Sequence, residues 1–441
     1  MSAPSGRVTP SPTAASTPLD GDGEVGQVAD HTSKAPPARF AALQSRNFRF
    51  LWIGLLISNA GTWMTSTAEG WLVTDLEPER SAFWLGIIAA AFAVPMLVLP
   101  PFGGVIADRL PRLTVLWTVQ LAYLITTSAL ATLTLLDLIN VWFLVAYGFC
   151  NGVILAFDSP VRHAILPDIL SREQLTSGVS LNSIAFTGAA LVGPAIAGSL
   201  IPIIGVSGVF TVDALSCVAI LFSLAMLRNI PRRRHAPDER EGVVASIASG
   251  VRYVVRSPLL RGLLLVSLLT GLFARSYGPL LAVFAREEFQ VSSTAFGLLV
   301  SAGGLGTLAG GFWVAARREM SEKGRWVIAA TLAQVAFLAG FAAAPWYGAA
   351  LPLLILVGFA GAIASALIAT LIQLAAPSEL RGRVMSLFIL TVVGFPSAGS
   401  LIAGLVADVA GVRIAVGGAA VFVLVLLGML FIRDPHIRSA S

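Results

Sequence analysis

The stretch AALPLLILVGFAGAIASALIATLIQL, residues 349–374, contains no charged residue and decides the fold of the chain. A helix needs about 20 apolar residues to cross the hydrocarbon core of a bilayer, and this stretch is long enough. Similar stretches recur along the sequence with short polar breaks between them. The twelve predicted spans are residues 50–75, 83–107, 113–136, 141–166, 178–202, 206–227, 259–283, 293–316, 326–344, 349–374, 384–409 and 413–432.

The composition agrees with a chain that lies mostly in lipid. Of its 441 residues, 56% are hydrophobic and 12% are charged, and the mean hydropathy of +0.83 exceeds that of soluble globular domains. Backbone groups in lipid must bond within their own segment, and strands of a membrane barrel have about 10 alternating residues. The sequence therefore predicts an all-α membrane protein with twelve transmembrane helices in two pseudo-symmetric six-helix halves.

The basic residues are distributed unevenly between alternate polar breaks. Breaks on one predicted side, and the adjoining tails, hold Arg39, Arg46, Arg49, Arg109, Arg112, Arg172, the basic residues from Arg228 to Arg261 and from Arg317 to Arg325, Arg381, Arg383, Arg433 and Arg438. The other side holds Arg80, Arg286 and Arg413. Cytoplasmic loops carry the excess of Lys and Arg in membrane proteins, so both termini are predicted to be cytoplasmic. The net charge of +5 thus reports topology, and no nucleic-acid partner is expected.

The longest interior break divides the chain into two parts. Residues 1–38 are predicted to be a disordered cytoplasmic tail, 39–227 the N-terminal half, 228–258 a cytoplasmic linker with an amphipathic helix, 259–432 the C-terminal half, and 433–441 a cytoplasmic tail. The two halves resemble each other in sequence, with Glu173 matching Glu379 and Gly198 matching Gly404. Paired halves suit alternating access around a site near the membrane midplane.

Two motifs connect the chain to a known family. The break after the second span reads GGVIADRLPR, residues 103–112, and the fifth span contains GAALVGPAIAG, residues 188–198. They resemble the signature loop and the antiporter motif of the major facilitator superfamily. The resemblance implies a conformational latch formed by Gly104, Asp108, Arg109 and Arg112, with the alternative that Asp108 and Arg109 merely mark the topology. It also implies an antiport role for Gly193, Pro194 and Gly198, although close helix packing by small residues explains that motif equally well.

Further segments resemble one branch of this superfamily, which contains the enterobactin exporter and the macrolide-type drug/proton antiporters. The segments are residues 59–64, 158–175 and 377–384. The resemblance implies a secondary active transporter that exports a small amphipathic molecule, such as a drug, siderophore or secondary metabolite, by proton antiport and alternating access. Two alternatives stay open: a nutrient or metabolite importer of the same fold, working as symporter or facilitator, and a non-transporting membrane sensor or scaffold.

Charged residues inside membrane spans are costly and are candidates for function. Glu69 and Asp213 are the proton-coupling candidates, against the alternatives that Glu69 faces interfacial water and that Asp213 is a satisfied buried acid. The remaining candidates, for a gate or for substrate contact, are Asp158, Arg162, Arg275, Tyr277 and Trp63. Asp158 and Arg162 are four residues apart, which also suits a structural pair. Arg275 is predicted to neutralise Glu69 or to hold an anionic substrate.

The sequence gives no sign of an enzyme. Lysine occurs only at Lys34 and Lys323, neither in a phosphate-binding loop, and the four histidines lack the spacing of metal ligands. We therefore expect no cofactor and no metal, and as partners a small-molecule substrate, protons and the lipid bilayer, with a functional monomer. The preference for Arg over Lys indicates a GC-rich bacterial genome, and so a bacterial inner (plasma) membrane.

Cysteine labelling tests the predicted topology. In a chain whose Cys150 and Cys217 are replaced by serine, we expect single cysteines near Arg112, Arg234 and Arg317 to react only after the cells are permeabilised. Cysteines near Arg80 and Arg413 should react with a membrane-impermeant maleimide on intact cells. Labelling of the Arg234 region from outside would overturn the topology.

Overall fold

The computed structural model describes residues 40–99, 110–228, 243–317, 320, 322–433 and 438. Within these ranges the regular structure is entirely helical, and no strand occurs. This follows from the long apolar stretches, since a helix satisfies every interior backbone N–H and C=O within its own segment.

The N-terminal part of the described chain contains five α-helices. They are Arg46–Leu76 (α1), Ser81–Val98 (α2), Arg112–Leu135 (α3), Val141–Ile169 (α4) and Arg172–Ala225 (α5). Polar caps mark two of the starts. The Ser45 side chain accepts a hydrogen bond from the N–H of Phe48, and Asn140 accepts one from Trp142 at 3.0 Å. Such caps satisfy backbone donors that the first helical turn leaves unpaired.

The helix α5 contains a break at Gly205. This residue has φ 72° and ψ 173°, outside the helical region, while both flanking segments are helical. A residue with a side chain would be strained at this φ, and glycine is not. With 54 residues and a rise of about 1.5 Å per residue, α5 would be far longer than a bilayer is thick if it were straight. The break at Gly205 divides α5 into two apolar helical segments, one before and one after this residue.

The C-terminal part begins with a bent pair of helices. Val243–Arg256 (α6) is followed by Pro258–Leu269 (α7), and the axes of residues 248–256 and 258–274 differ by 111°. The α6 helix packs on a later helix, because Arg383 donates a hydrogen bond to Ser249 at 2.5 Å. The position of α6 at a cytoplasmic membrane surface stays a prediction.

The segment after α7 departs from regular α-helix. A π-helical turn occupies Thr270–Ala274, a short α-helical turn Leu281–Val283, and a second π-helical turn Phe284–Glu288. The following helices are Ser293–Ala316 (α8), Lys323–Ala342 (α9), Tyr347–Ala375 (α10), Arg381–Ile389 (α11), Phe395–Ala410 (α12) and Val412–Arg433 (α13). A π-helical turn at Leu390–Gly394 joins α11 to α12. Such turns occur often at functional positions within helices.

Among the described residues, nine helices are long and apolar enough to cross a membrane, or up to ten when a bent pair counts as one span. Large apolar side chains such as Ile203, Val409 and Ile432 are exposed on the surface of these helices. In water such a surface would be unstable, whereas lipid covers it without cost. An all-helical membrane fold is confirmed. The count of ten differs from the predicted twelve by two, because α5 is counted once across Gly205 and α1 is not among the helices counted.

Glycine allows α2 to lie against α12 and α5 against α8. A Cβ atom added to Gly86 on α2 would lie 2.9 Å from the carbonyl oxygen of Ser400 and 3.0 Å from the Cα of Leu401. A Cβ added to Gly304 on α8 would lie 2.9 Å from the carbonyl oxygen of Ala190. Backbone cannot move away as a flexible side chain can. Small residues are therefore required where the N-terminal helices meet the C-terminal helices.

Valine substitution at Gly86 tests this close approach. We expect Gly86→Val to lower the midpoint of thermal unfolding of the purified protein, because the added side chain overlaps the α12 backbone at a cost of about 1–3 kcal/mol. Gly418→Val is the matched control, since nothing lies within 4 Å of a Cβ at that helical position. Equal effects of the two substitutions would contradict the packing argument.

Candidate functional site

Asp213 on α5 is the centre of a buried polar cluster. Its side chain is fully buried. Its Oδ2 atom accepts hydrogen bonds from Thr65 on α1 at 2.7 Å and from Tyr123 on α3 at 3.0 Å. Its Oδ1 atom accepts one from Ser216 at 2.9 Å. No cation of the described chain forms an ion pair with it, so three neutral donors surround this acid.

The cluster extends from Asp213 through two tyrosine hydroxyls. Tyr147 on α4 donates to the hydroxyl of Tyr123 at 3.5 Å, and Tyr123 donates to Asp213. Both tyrosines are buried. Because a phenolic hydroxyl both donates and accepts, the two side chains form one continuous row of O–H groups that ends at the Asp213 carboxyl.

Glu69 lies on α1 one helical turn beyond Thr65, on the same helix face as that Asp213 contact. Its side chain is half-buried, whereas its Oε1 atom is inaccessible to solvent and has no hydrogen-bond partner among the described residues. Glu69 also lies within electrostatic range of Tyr147. The two acids predicted as proton carriers are therefore near the two ends of the same row of hydroxyls.

Asp158 and Arg162 form an ion pair on one face of α4. Pro160 between them is accommodated within the helix. Gln120 on α3 donates a further hydrogen bond to Asp158 at 3.1 Å. The side chains of Asp158 and Arg162 are only 4% and 15% exposed. This arrangement holds α3 and α4 together and neutralises the charge of each partner.

Arg275 directly follows the π-helical turn Thr270–Ala274. Its guanidinium donates a hydrogen bond to the Ser365 hydroxyl on α10 at 2.8 Å. No ion pair joins it to Glu69 or to any other acid of the described chain. Tyr277, two residues on, lies within electrostatic range of Arg275 and contacts the ring of Phe341.

The motif in α5 lies at contacts with two other helices. A Cβ added to Gly193 would lie 2.7 Å from the Cβ of Trp63 on α1, and Trp63 in turn makes an edge contact with Phe186. A Cβ added to Gly198 would lie 2.4 Å from the carbonyl oxygen of Ser293 on α8, whose hydroxyl donates a hydrogen bond to the carbonyl oxygen of Gly198 at 3.3 Å. Both contacts explain the small residues by close packing.

The predicted latch is only partly within the described chain. Gly104, Asp108 and Arg109 lie outside the described residues. Arg112 begins α3 and donates hydrogen bonds to the carbonyl oxygen of Ala164 at 2.6 Å and to Asp168 at 2.7 Å. It thereby ties the start of α3 to the end of α4.

The sequence interpretation missed a polar cluster that joins the N-terminal helices to the C-terminal helices. It consists of the ion pair Arg80–Asp408 at 3.2 Å, the ion pair Asp75–Arg286, and the hydrogen bond from Ser81 to Glu287 at 2.9 Å. We call these six residues the gate cluster. Arg286 also lies over the ring of Trp71, with 4.7 Å to the ring centroid. Single charges at helix ends give no signal of their partners, which explains why the pairs were not predicted.

A groove of about 670 Å³ lies between α5, α8 and α10. Apolar side chains such as Val192, Ile196 and Leu298 line it and are exposed on the molecular surface. The groove contains none of the charged side chains described above. Its lining offers no group that could take up a proton or pair with a charge, so the buried polar clusters remain the candidate site.

The comparisons with known proteins cover nearly the whole chain. Residues 37–440 match the family model described as transmembrane secretion effector. The chain is 27% identical over 394 residues to the multidrug efflux pump Tap of Mycolicibacterium fortuitum, covering 87% of this chain and 94% of that protein. It is 26% identical over 356 residues to the enterobactin exporter EntS of Shigella boydii, covering 80% and 83%.

Solved structures share the fold at low sequence identity. A bacterial homologue of the human lysosomal transporter Spinster, in an inward-facing and unoccupied conformation, superposes with a TM-score of 0.69 at 13% identity, covering 90% of this chain and 98% of that chain. A D-xylose–proton symporter superposes with a TM-score of 0.68 at 13% identity, covering 91% and 100%. At these identities the likeness extends to the fold alone.

A double-mutant cycle tests the ion pair on α4. Arg162→Gln leaves the buried Asp158 without its cation, and we expect a loss of about 3 kcal/mol in the free energy of unfolding. Adding Asp158→Asn should recover most of the lost stability, because the unpaired charge is then gone. The measurement is denaturant unfolding in mixed micelles.

The control for this cycle is Arg325→Gln. Its partner in the ion pair is Glu322, and both side chains are more than half exposed. An exposed pair contributes at most about 1 kcal/mol, so this change should have a small effect. A double variant at positions 158 and 162 no more stable than Arg162→Gln would contradict the charge argument.

Proposed function

Since the chain belongs to the transmembrane secretion effector family of the major facilitator superfamily, and is a multi-pass membrane transporter rather than an enzyme, we propose that it exports a small amphipathic molecule in exchange for protons. The observation that supports export is the similarity, over most of the chain, to proteins named as a multidrug efflux pump and an enterobactin exporter. A drug, a siderophore or a secondary metabolite is the substrate class that we propose.

Import is the second candidate within transport. A D-xylose–proton symporter has the same fold, so this architecture also occurs in a symporter. Its identity of 13% is half that of the efflux relatives, and a shared fold does not determine direction. Export is therefore favoured, and no comparison supports a non-transporting sensor or scaffold.

The proposed architecture is twelve transmembrane helices in two six-helix halves. Counting α5 as two crossings around Gly205 yields six in the N-terminal half. The C-terminal half yields six when α7 is joined to the turns that end at Glu288 and α11 is joined to α12. The contacts of α2 with α12 and of α5 with α8 then form the boundary between the halves.

Alternating access is proposed to open and close the gate cluster. These contacts join the end of α1 and the start of α2 to the C-terminal half, at the side that the basic residues predict to be external. At the opposite side, the ion pairs Arg112–Asp168 and Arg325–Glu322 each stay within one half. The structure is thus proposed to be the state closed to the outside, with the latch around Asp108 serving the other state.

Proton coupling is assigned to Glu69 and Asp213. A charged carboxylate without a cation is costly inside a membrane protein, so each acid removes that cost by taking up a proton. The orphan Oε1 atom of Glu69 and the neutral donors around Asp213 support this assignment. Arg275 is proposed as a substrate contact, since its guanidinium has a hydroxyl partner and no acid among the described residues.

The relatives and the charge distribution support a proposal for the cellular setting. The proposed location is a bacterial inner membrane, with both termini in the cytoplasm and the monomer as the working unit. The bacterial relatives and the excess of basic residues on one side support this.

Transport by purified protein in proteoliposomes tests the proposal. A pH gradient is imposed across the vesicle membrane, and a panel of amphipathic drugs and dyes, beginning with ethidium, is added one compound at a time. In wild-type vesicles, a transported compound should cause protons to move across the membrane. We expect Glu69→Gln to reduce uphill export about tenfold or more while downhill substrate exchange stays within about twofold, because a neutral side chain cannot cycle a proton. Asp213→Asn provides the internal comparison.

The matched control is Glu79→Gln, an exposed glutamate between α1 and α2 that should leave both activities unchanged. Equal loss of uphill export and downhill exchange in Glu69→Gln would assign this residue to substrate binding or structure. Absence of substrate-dependent proton movement across the whole panel in wild-type vesicles would overturn proton-coupled export.

A further inference from the structure

We propose that Tyr123 and Tyr147 form a hydroxyl relay that moves a proton between Glu69 and Asp213, so that the two acids work as one coupled proton site. The inference rests on the proposed proton coupling and deepens it, because it names how two separate carboxyls share a proton. It assigns a positioning and transfer role to two tyrosines that no sequence motif singled out.

The first step is the contact between Tyr123 and Asp213. The Tyr123 hydroxyl donates to Oδ2 of Asp213 at 3.0 Å, inside a fully buried cluster. Thr65 and Ser216 hold the two carboxyl oxygens in place at 2.7 Å and 2.9 Å. The carboxyl therefore has one orientation, with Oδ2 directed at the hydroxyl that would deliver a proton.

The second step is the contact between the two tyrosines. The Tyr147 hydroxyl donates to the Tyr123 hydroxyl at 3.5 Å, a long hydrogen bond. Tyr123 thus accepts from one group and donates to another, as a proton relay requires. The tyrosines come from different helices, α3 and α4, so tertiary packing alone creates this row.

The third step reaches Glu69. Tyr147 is within electrostatic range of Glu69, and Oε1 of Glu69 is a buried oxygen without a protein partner among the described residues. A buried polar atom without a partner costs free energy and requires an explanation. One water between this atom and the Tyr147 hydroxyl would satisfy both groups and pass a proton between them.

The proton balance is simple. The carboxyl of Glu69 gives its proton to the bridging water, which passes one of its own to the oxygen of Tyr147. Tyr147 then passes its own proton to Tyr123, and Tyr123 passes its own to Oδ2 of Asp213. Each hydroxyl gains one proton and loses one, while one negative charge moves from Asp213 to Glu69. The titratable groups that face Asp213 are Tyr123, Tyr147 and the Cys217 thiol, with Glu69 at the far end. No basic group of the described chain interrupts the row with a fixed charge.

Infrared difference spectroscopy on purified protein tests the relay without any substrate. The stretching band of a protonated carboxyl shifts when its proton is exchanged for deuterium, and the band missing in Asp213→Asn belongs to Asp213. After rapid mixing with D₂O, we expect Tyr123→Phe, Tyr147→Phe and Glu69→Gln each to slow exchange at Asp213 about tenfold or more. The double tyrosine variant should be no slower than its slower single variant, since the two hydroxyls act in series.

The control is Tyr347→Phe, which removes a hydroxyl that donates to the carbonyl oxygen of Ala295 at 3.0 Å. It loses a hydrogen bond of the same kind and should leave exchange at Asp213 unchanged, and circular dichroism checks that every variant is folded. Unchanged exchange in Tyr147→Phe or Glu69→Gln would overturn the relay, as would an Asp213 that shows no protonated band at any pH tested. Because the readout needs no transport, failure to find a transported drug leaves the relay result valid.

Discussion

The need to satisfy every backbone N–H and C=O group inside lipid is the constraint on which the rest of this structure depends. It makes each long apolar stretch a helix and leaves side chains as the only means of specific contact between spans. Lipid is as apolar as the helix surfaces, so the hydrophobic effect does not press the helices together. Close contact by small residues and buried polar bonds takes its place. Gly86 against Ser400, and Thr65 against Asp213, are one example of each.

Departures from regular helix occur where the chain has to bend. Gly205 breaks α5 with a backbone conformation that suits glycine, and π-helical turns follow α7 and α11. Arg275 directly follows one of these turns and bonds to Ser365 on a distant helix. The first of these turns therefore coincides with a place where a charged group lies inside the protein.

The charged groups divide into two classes by their surroundings. Asp158 with Arg162, and Arg80 with Asp408, form ion pairs in which each charge compensates the other. Asp213 and Glu69 have no cation among the described residues and lie near a shared row of hydroxyls. Compensated pairs hold one protonation state, whereas an uncompensated acid changes its state at lower cost. The absence of a cation partner among the described residues, more than proximity to any cavity, distinguishes Asp213 and Glu69 as the candidate coupling site.

The amino-acid sequence by itself determined the membrane class, the helical fold, the family and the list of charged candidates, because hydropathy and local motifs are properties of neighbouring residues. It also identified Glu69, Asp213 and Arg275 one by one. Only the tertiary structure decided which groups meet. Asp213 bonds to residues 148 and 90 positions away in the chain, and Arg80 pairs with a residue 328 positions away. Periodicity carries no information about contacts at such separations, so Thr65, Tyr123, Tyr147 and the gate cluster were not predictable from one sequence, whereas helix packing brings them together.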